Sequence, residues 1–222
     1  MKHMNNTGRR RGLTVFLMIL ILIVIIVMII KAGAEPSYTG SEYEVTGLDM
    51  RVAVSKDRTL EVETYISVDI PESIRTAEFA LPGGSSVIKD LTVNGERAKT
   101  VRRSDGKSVL IRDPELLTGG HHRYRICYSL SEKSDSRKDK DVFTFDVIPT
   151  GWNQPVKLLH ALIWFPYGFP IDDISPYADG SADVILSVKR EPQSRSYTIG
   201  GRRIPEDYSL RLEADLPAGY WE

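Results

Sequence analysis

Four aspartates stand close together in the segment IDDISPYADGSAD, and carboxylates at this spacing could bind a metal ion or carry out hydrolysis. They are Asp172, Asp173, Asp179 and Asp183. Calcium binds about six to eight oxygen atoms, and two convergent carboxylates can cleave a glycosidic bond. The spacing matches no EF-hand loop, however, and aspartates beside proline and glycine commonly form turns. We therefore favour turn formation and keep a calcium site and a hydrolytic site as alternatives.

Histidines are the next candidates for chemistry. His121 and His122 are adjacent, and adjacent residues of a strand point to opposite faces, so they cannot both bind one metal unless the turn at Gly119 and Gly120 distorts the chain. His160 shares its strand parity with three large apolar residues, Leu158, Leu162 and Trp164. This parity predicts a core or edge histidine rather than a catalytic base. The sequence also lacks the GxSxG, HExxH, Walker A and post-strand GxGxxG motifs, so we expect no catalytic residue and no cofactor.

An uncharged apolar run, Leu13–Ile30, stands near the start of the chain. Its 18 residues would span about 27 Å as a helix at about 1.5 Å per residue, which matches a bilayer core. Basic residues precede the run, and the positive-inside rule therefore places the N-terminus in the cytoplasm. We expect residues 1–12 to be cytoplasmic, residues 13–34 to cross the cell membrane once, and residues 35–222 to form an extracytoplasmic domain.

Residues 13–34 could instead form a signal peptide that is removed. Ala32, Gly33 and Ala34 supply the small residues that signal peptidase recognises, and Glu35 would then begin the mature chain. The apolar run is longer than the about 7 to 15 residues usual in a signal peptide. We therefore favour a retained signal anchor that holds the protein in the lipid bilayer.

Composition and charge restrict the class of partner. The chain is 41% hydrophobic and 27% charged, which is ordinary for a domain with a packed core. After residue 34 it carries 24 basic and 30 acidic residues, a net charge of −6, whereas a nucleic-acid-binding domain would present a basic face. The single cysteine, Cys127, cannot form an internal disulfide bond, and we expect it to be buried. The expected partners are the bilayer and an unknown envelope protein or glycan.

Apolar residues alternate along most of the chain after the apolar run, which predicts strands. Leu48 to Val54 and Leu60 to Ile70 each show this period of two and predict an antiparallel hairpin. Further strands are separated by turn sequences such as Asn94-Gly95. Ser131 to Asp141 is rich in charged residues, contains no apolar residue and predicts a mobile, solvated hairpin tip. The spacing predicts an all-β fold, an antiparallel β-sandwich of immunoglobulin-like or jelly-roll-like type.

Two tryptophans raise a choice between ligand binding and structure. Trp152 lies between Gly151 and Asn153 before Pro155, and this position predicts a plug at one end of the sandwich. Trp164 continues a strand period and is expected in the core. Exposed aromatic rings could stack on sugars, but buried rings contribute a large apolar area to stability. We favour the structural interpretation for both tryptophans.

Three segments resemble a known family: GGHHRYRICYSL, DVFTFDVIPTGWNQPVKLLHALIWFP and LRLEADLPAGYW. Residues 38–222 are similar to the extracytoplasmic domain of the YciQ-like predicted membrane proteins of bacteria. The most specific matches are the structural residues Gly119, Gly120, Trp152, Pro155 and Pro166. The resemblance implies a β-sandwich of unknown biochemical function that is usually followed by further transmembrane segments. Because the sequence ends at Glu222, we expect a shortened relative or a portion of a longer protein.

These observations favour a membrane-tethered extracytoplasmic β-sandwich without catalytic activity, which binds another component of the bacterial envelope. The alternative is an envelope hydrolase or carbohydrate-active protein that uses the acidic residues from Asp172 to Asp183. An enzyme of that kind needs two carboxylates that converge in a cleft, whereas a binding module needs an exposed patch.

Overall fold

The computed structural model describes residues 42–82, 86–104, 106–131, 140–180, 184–206 and 208–221, and at Ile185 only the backbone. The predicted anchor, residues 13–34, and the aspartate Asp183 lie outside these residues, as does most of the charged stretch from Ser131 to Asp141. Within the described part of the chain, no helix is long and apolar enough to cross a membrane.

The described residues form fourteen strands and two short 3₁₀ turns. The strands in chain order are β1 (Glu44–Val54), β2 (Thr59–Ile70), β3 (Ala77–Leu81), β4 (Val87–Val93), β5 (Glu96–Arg97), β6 (Thr100–Arg103), β7 (Gly106–Ile111), β8 (Gly120–Ser131), β9 (Lys140–Ile148), β10 (Val156–Trp164), β11 (Ser175–Asp179), β12 (Ile185–Glu191), β13 (Ser196–Ile204) and β14 (Ser209–Pro217). The 3₁₀ turns are Pro114–Leu116 and Ile171–Asp173. Strands make up 65% of the structure and helical turns 4%, so the predicted all-β class is confirmed.

The strands form three sheets, none of them closed. The large sheet has eight strands in the order β12-β13-β10-β1-β2-β8-β4-β5. Two smaller sheets have three strands each, in the orders β11-β14-β9 and β3-β7-β6. At the edges of the large sheet lie β5, which is only two residues long, and β12, whose exposed positions include Lys189 and Arg190.

The predicted hairpin of β1 and β2 is confirmed. Buried and more exposed residues alternate along both strands, because one face of this antiparallel pair packs on the core. The connecting turn closes where the backbone N–H of Ser55 donates to the carbonyl of Thr59 at 2.9 Å. Asp57 accepts a hydrogen bond from the N–H of Thr59 at 3.1 Å, and Arg58 adopts a positive φ of 62°. The polar residues between the strands therefore supply the turn.

One pair of strands departs from the predicted antiparallel arrangement. β1 pairs with β10 in parallel, with Leu48 opposite Leu159 and Val52 opposite Ile163. Alternating apolar residues indicate a strand but do not reveal its partner or direction, so the sequence pattern could not distinguish the two arrangements. The all-antiparallel prediction is wrong at this position.

Residues of all three sheets share one buried core. Phe79 of β3 lies 5.7 Å from Tyr124 of β8 between ring centroids, and Phe143 of β9 lies 5.4 Å from Phe165, which follows β10. The inward side chains of both small sheets thus pack on residues of the large sheet or its connections. Aromatic pairs at these separations add to the stabilisation that burial provides.

The predicted hairpin tip at Ser131 to Asp141 is wrong. β8, which ends at Ser131, belongs to the large sheet, and β9, which begins at Lys140, pairs with β14 in a small sheet. The chain therefore passes from one sheet to another between these strands. The charged sequence indicated a connection correctly but could not indicate which strands it joins.

The two tryptophans differ in their environments. Trp152 is buried, its indole N–H donates to the carbonyl of Gln154 at 2.6 Å, and its ring stacks on Phe79 at 6.4 Å. Trp164 is 40% exposed, so the expectation that it lies in the core is wrong. The reason is that β10 is apolar on both faces. The positions that face the core are Val156, Leu159, Ala161 and Ile163.

Replacing Trp152 should destabilise the fold far more than replacing Trp164. Trp152→Ala removes a buried ring and leaves the Gln154 carbonyl without its donor, and we expect a loss of about 3 to 5 kcal/mol. The matched change Trp164→Ala acts at an exposed position and should cost about 1 kcal/mol or less. Urea denaturation followed by circular dichroism measures both values. Equal losses would contradict the observed packing.

Candidate functional site

The aspartates singled out in the sequence do not form a cluster in the described structure. Asp172 and Asp173 are exposed in the second 3₁₀ turn, and Asp179 is exposed at the end of β11. Asp183 lies outside the described residues. Among the residues that the structure describes, no group of three or more His, Cys, Asp or Glu side chains could hold a metal ion.

Each of the three candidate histidines has its own hydrogen-bond partner. The Nδ1 atoms of His121 and His160 lie 2.7 Å from Asp69 and 3.1 Å from Asp49, respectively. His122 contacts the carbonyl of Thr118 at 2.7 Å. His160 lies on an inner strand of the large sheet with its side chain 56% exposed, so the expectation of a core or edge histidine is wrong. The prediction for His160 took the outward face of β10 for its core face, as did the prediction for Trp164.

The remaining structural candidates lie at turns and strand ends. Gly120 begins β8 with a φ of 126°, a conformation that favours glycine, and the N–H of Gly119 donates to Ser73 at 3.3 Å. Pro166 accepts a hydrogen bond from the N–H of Phe169 at 3.2 Å. Pro155 is exposed immediately before β10.

The outward face of the large sheet carries connected polar side chains that the sequence did not single out. We call this set of side chains the outer-face network. Its members are Asp49, Arg51, Glu63, Tyr65, Arg123, Arg125 and His160. The strand register brings them together, because His160, Asp49, Tyr65 and Arg125 occupy one row across four strands. Each residue taken alone is a polar side chain on an alternating strand, so only the register reveals that they are neighbours.

Glu63 is the centre of one half of this network. Its carboxylate accepts hydrogen bonds from Nε of Arg125 at 2.7 Å and from the hydroxyl of Tyr65 at 3.0 Å, and Arg51 lies 3.9 Å away. The hydrogen bond from Arg125 is the largest cause that holds the pKa of Glu63 below its ordinary value. Burial opposes this shift, and the Tyr65 hydrogen bond reinforces it. Glu63 is therefore held as a carboxylate.

Tyr65 and Asp49 connect the other half. The guanidinium of Arg123 lies over the Tyr65 ring at 4.4 Å from its centroid, and Arg51 lies 5.9 Å from the same centroid. Arg123 also approaches Asp49 at 3.9 Å, opposite the contact of that carboxylate with His160. Cation–π contacts of this kind contribute about 0.5 to 1 kcal/mol at exposed sites. The Tyr65 ring is thus occupied by guanidinium groups.

Cys127 also lies on this face, beside Glu63 in the register of β2 and β8. It is half-buried, so the expectation of a buried thiol is wrong. Its neighbours on the outward face are Glu63, Arg125 and Thr92, and desolvation by burial is the largest cause that raises its pKa. The thiol belongs to the outer surface of the sheet and not to the core.

Three neighbouring strands share one irregularity next to the outer-face network. Between successive buried positions, β1, β10 and β13 each carry two outward residues instead of one. The pairs are Thr46 with Gly47, Lys157 with Leu158, and Arg202 with Arg203. The buried residues on either side stay in register across the strands, with Val45 opposite Val156 and Leu48 opposite Leu159. We call this arrangement the three-strand step.

The step has two visible causes in the backbone. Between β1 and β2 the register shifts between Val45 and Gly47, because β2 carries only Ser67 between its buried residues. On β13, Arg203 has a positive φ of 57°, which places Arg202 and Arg203 both at the surface before Ile204 returns to the core. A side chain that breaks the alternation in this way is directed by a bulge rather than by ordinary pleating.

A cleft and a groove lie on the two sides of the step. The cleft has a volume of about 690 Å³ and includes Asp49, Tyr65, His160, Ser187 and Gly200 among its lining residues. Gly200 leaves space in the cleft, because a Cβ atom at this position would come within 2.7 Å of the Ser187 hydroxyl. The groove has a volume of about 810 Å³. Its lining residues lie before the step, within it and at the end of β13, and they include Glu44, Pro155, Lys157, Arg203, Ile204 and Pro205. Leu158 and Arg202 line both.

A comparison with known protein families shows to which family the chain belongs. A family model described as the N-terminal domain of a predicted membrane protein, DUF2207, matches residues 44–214. The chain belongs to this family. The DUF2207 domain therefore runs from the first residue of β1 into β14 and contains the outer-face network and the three-strand step. The predicted resemblance to membrane proteins is confirmed at the level of this family, and a comparison with curated proteins returns no match.

Solved structures similar to the DUF2207 domain come from larger proteins. An M1 zinc metallopeptidase from Deinococcus radiodurans has a TM-score of 0.45 and 16% identity over 80% of this chain and 44% of its own. Native leukotriene A4 hydrolase from Saccharomyces cerevisiae has a TM-score of 0.46 and 10% identity, covering 84% and 32%. Aminopeptidase A from Legionella pneumophila, in complex with aspartic acid, has 0.42 and 12%, covering 79% and 22%. The chain spans less than half the length of each of these structures.

Glu63→Gln should lower the free energy of unfolding at neutral pH, and its difference from the native chain should shrink in acid. The reason is that a carboxylate with a depressed pKa stabilises the fold above its unfolded pKa and loses that contribution as pH falls through its folded pKa. We expect convergence as pH falls below about 4.5. Urea denaturation between pH 7 and pH 3 measures this difference.

The matched control is Glu61→Gln. Glu61 is an exposed carboxylate on the same strand and forms no ion pair with any described residue. We expect this variant to remain close to the native chain at neutral pH. If both variants lost the same stability, the hydrogen bonds to Glu63 would not be the cause.

Proposed function

We propose that this DUF2207 domain is a membrane-tethered extracytoplasmic β-sandwich of the YciQ-like type that binds an envelope component through the outward face of its large sheet. A retained segment at residues 13–34 would hold it in the cell membrane as a single pass, with the N-terminus in the cytoplasm. The proposal assigns the domain a binding role without catalysis. Its support comes from the family, the basic residues that precede Leu13, and the outer-face network.

The observation that carries the proposed binding role is the connectivity of the outer-face network. Isolated surface charges on a sheet are solvated and contribute little. Here Glu63 holds Arg125 and Tyr65, while Asp49 holds His160 and approaches Arg123. Groups fixed by one another in this way lose little side-chain freedom when a partner binds, so the entropic cost of recognition is reduced.

The nature of the face favours an envelope protein over a sugar. Sugar binding by stacking needs an exposed aromatic ring, and two guanidinium groups already lie over Tyr65. A patch that combines arginine and tyrosine is typical of the centres of protein interfaces. We therefore propose a protein partner with complementary charge.

Site-specific photocrosslinking tests this role in the intact protein in bacterial membranes. A photoreactive amino acid at Ala53, an exposed outward position of β1, should give a defined adduct. The same amino acid at Arg102, an exposed position of β6 in a small sheet, should not. Arg123→Glu should abolish the Ala53 adduct, whereas the exposed Arg75→Glu should leave it unchanged. Equal adducts from Ala53 and Arg102, or an adduct that survives Arg123→Glu, would contradict the proposal.

The proposed anchor has its own test. Because the 18-residue run favours insertion into lipid, we expect the protein to remain in the membrane pellet after carbonate extraction. N-terminal sequencing of the membrane-bound protein should find residues that precede Leu13. A mature chain that begins at Glu35 and appears in the soluble fraction would show that the segment is a signal peptide.

A further inference from the structure

We infer that the cleft and the groove on either side of the three-strand step form one binding site for an anionic amphiphile. The acid group of the ligand would lie at Arg202 in the cleft, and its apolar chain would follow the groove past Leu158. This inference rests on the proposed binding role and names a second ligand for the same domain.

The charges of the site favour an anion. Two carboxylates line it, and each lies near a permanent cation: Asp49 is 3.9 Å from Arg123, and Glu44 contacts Lys157 at 2.7 Å. Arg202 and Arg203 form no ion pair with any residue that the structure describes, and both are exposed. The site therefore carries uncompensated positive charge, although the chain after residue 34 has a net charge of −6.

The hydrogen-bonding groups near Arg202 also suit an acid group. Ser67 and Ser187 line the same cleft, and a hydroxyl can rotate to donate to a carboxylate or phosphate oxygen. The Ser187 hydroxyl makes only a long hydrogen bond of 3.4 Å to the carbonyl of Gly200, so that partner is readily exchanged. Because Gly200 has no side chain, the space between Ser187 and His160 stays open to a ligand.

The groove supplies the apolar half of the site. Leu158 is 55% exposed and stands between the cleft and the groove. Beyond it, the exposed Pro155 and the half-buried Pro205 line the groove over the buried Val156 and Ile204, with the arginine and lysine side chains of the step around them. An exposed leucine beside prolines and unpaired guanidinium groups complements a molecule with an apolar chain and an acidic end.

The step explains why both halves occur together. Regular strands would carry one outward residue at this level, whereas each of the three strands carries two. One residue of each pair, Gly47, Leu158 or Arg202, lines the cleft. All members of the pairs except Gly47 line the groove, so Leu158 and Arg202 belong to both. The polar and apolar halves of the site are thus adjacent because the same irregularity builds both.

Photoaffinity labelling of the full chain in phosphatidylcholine nanodiscs tests the site. The probe is dodecanoate that carries a diazirine on its chain, and the labelled residues are mapped by mass spectrometry. We expect label within Pro155 to Leu158 or at Ile204 and Pro205, reduced by excess dodecanoate or dodecyl phosphate. The relative potency of these two competitors distinguishes a carboxylate from a phosphate as the preferred acid group. Dodecanol and acetate each lack one half of the ligand and should not compete.

Variants separate this site from general partitioning into lipid. Arg202→Met removes the charge from an exposed position and should reduce labelling at least about tenfold, as expected for the loss of a charge-assisted contact. Leu158→Ser should reduce it as well, whereas Arg75→Met, which removes an exposed charge that lines neither the cleft nor the groove, should not. Labelling that survives Arg202→Met, or that dodecanol abolishes equally well, would overturn the inference.

The labelling test of this site and the crosslinking test of the proposed protein partner can fail independently. Leu158→Ser leaves every member of the outer-face network in place, so the Ala53 photoadduct should persist in this variant. If the native chain gives the Ala53 adduct but no specific labelling by the amphiphile, this site alone is refuted. If the native chain is labelled specifically at Leu158 but gives no Ala53 adduct, the protein-binding role alone is refuted.

Discussion

The parallel ladder between β1 and β10 is the interaction on which the remaining structure depends. Among the described strands it is the only pairing that joins the β12-β13-β10 half of the large sheet to the β1-β2-β8-β4-β5 half. Asp49 and His160, which meet across it, are 111 positions apart in the chain. Closing so long a loop costs conformational entropy that only the completed ladder and its core contacts can offset. The three-strand step crosses this junction, and His160 joins the outer-face network from the other side of it.

Local features of the fold were predictable from the sequence, whereas pairings between distant segments were not. The alternation from Leu48 to Val54 predicted β1 correctly, and the turn at Asn94 and Gly95 is confirmed by their φ values of 52° and 89°. β10 misled the prediction because VKLLHALIW is apolar at both parities, so Trp164 and His160 were assigned to the wrong face. The candidate site was missed for a related reason. Its residues become neighbours only through strand register, and no single segment contains enough of them to form a motif.

The outward face of the large sheet divides into two chemically different regions. In the network, carboxylates and guanidinium groups satisfy one another, and the aromatic ring of Tyr65 is covered. Beside it, at the step, Arg202 and Arg203 remain uncompensated among the described residues, and Leu158 is exposed. A connected network restrains its members more than an isolated surface ion pair does, because each side chain has several partners. An unsatisfied region gains from a ligand that supplies the missing charge and covers the apolar side chain. The same sheet can thus provide a rigid surface and a receptive one.

The three-strand step also limits how the sequence of this domain can change over evolutionary time. A deletion of one residue from Lys157 and Leu158 would leave β10 one residue shorter than β1 and β13 between the same buried rows. Because side chains alternate between faces, either the row at Val156 or the row at Leu159 would then turn outward. Shortening all three strands together would restore the register but remove both the cleft and the groove. Single insertions and deletions at this level are therefore expected to be eliminated by selection for folding, even in descendants that no longer need the ligand.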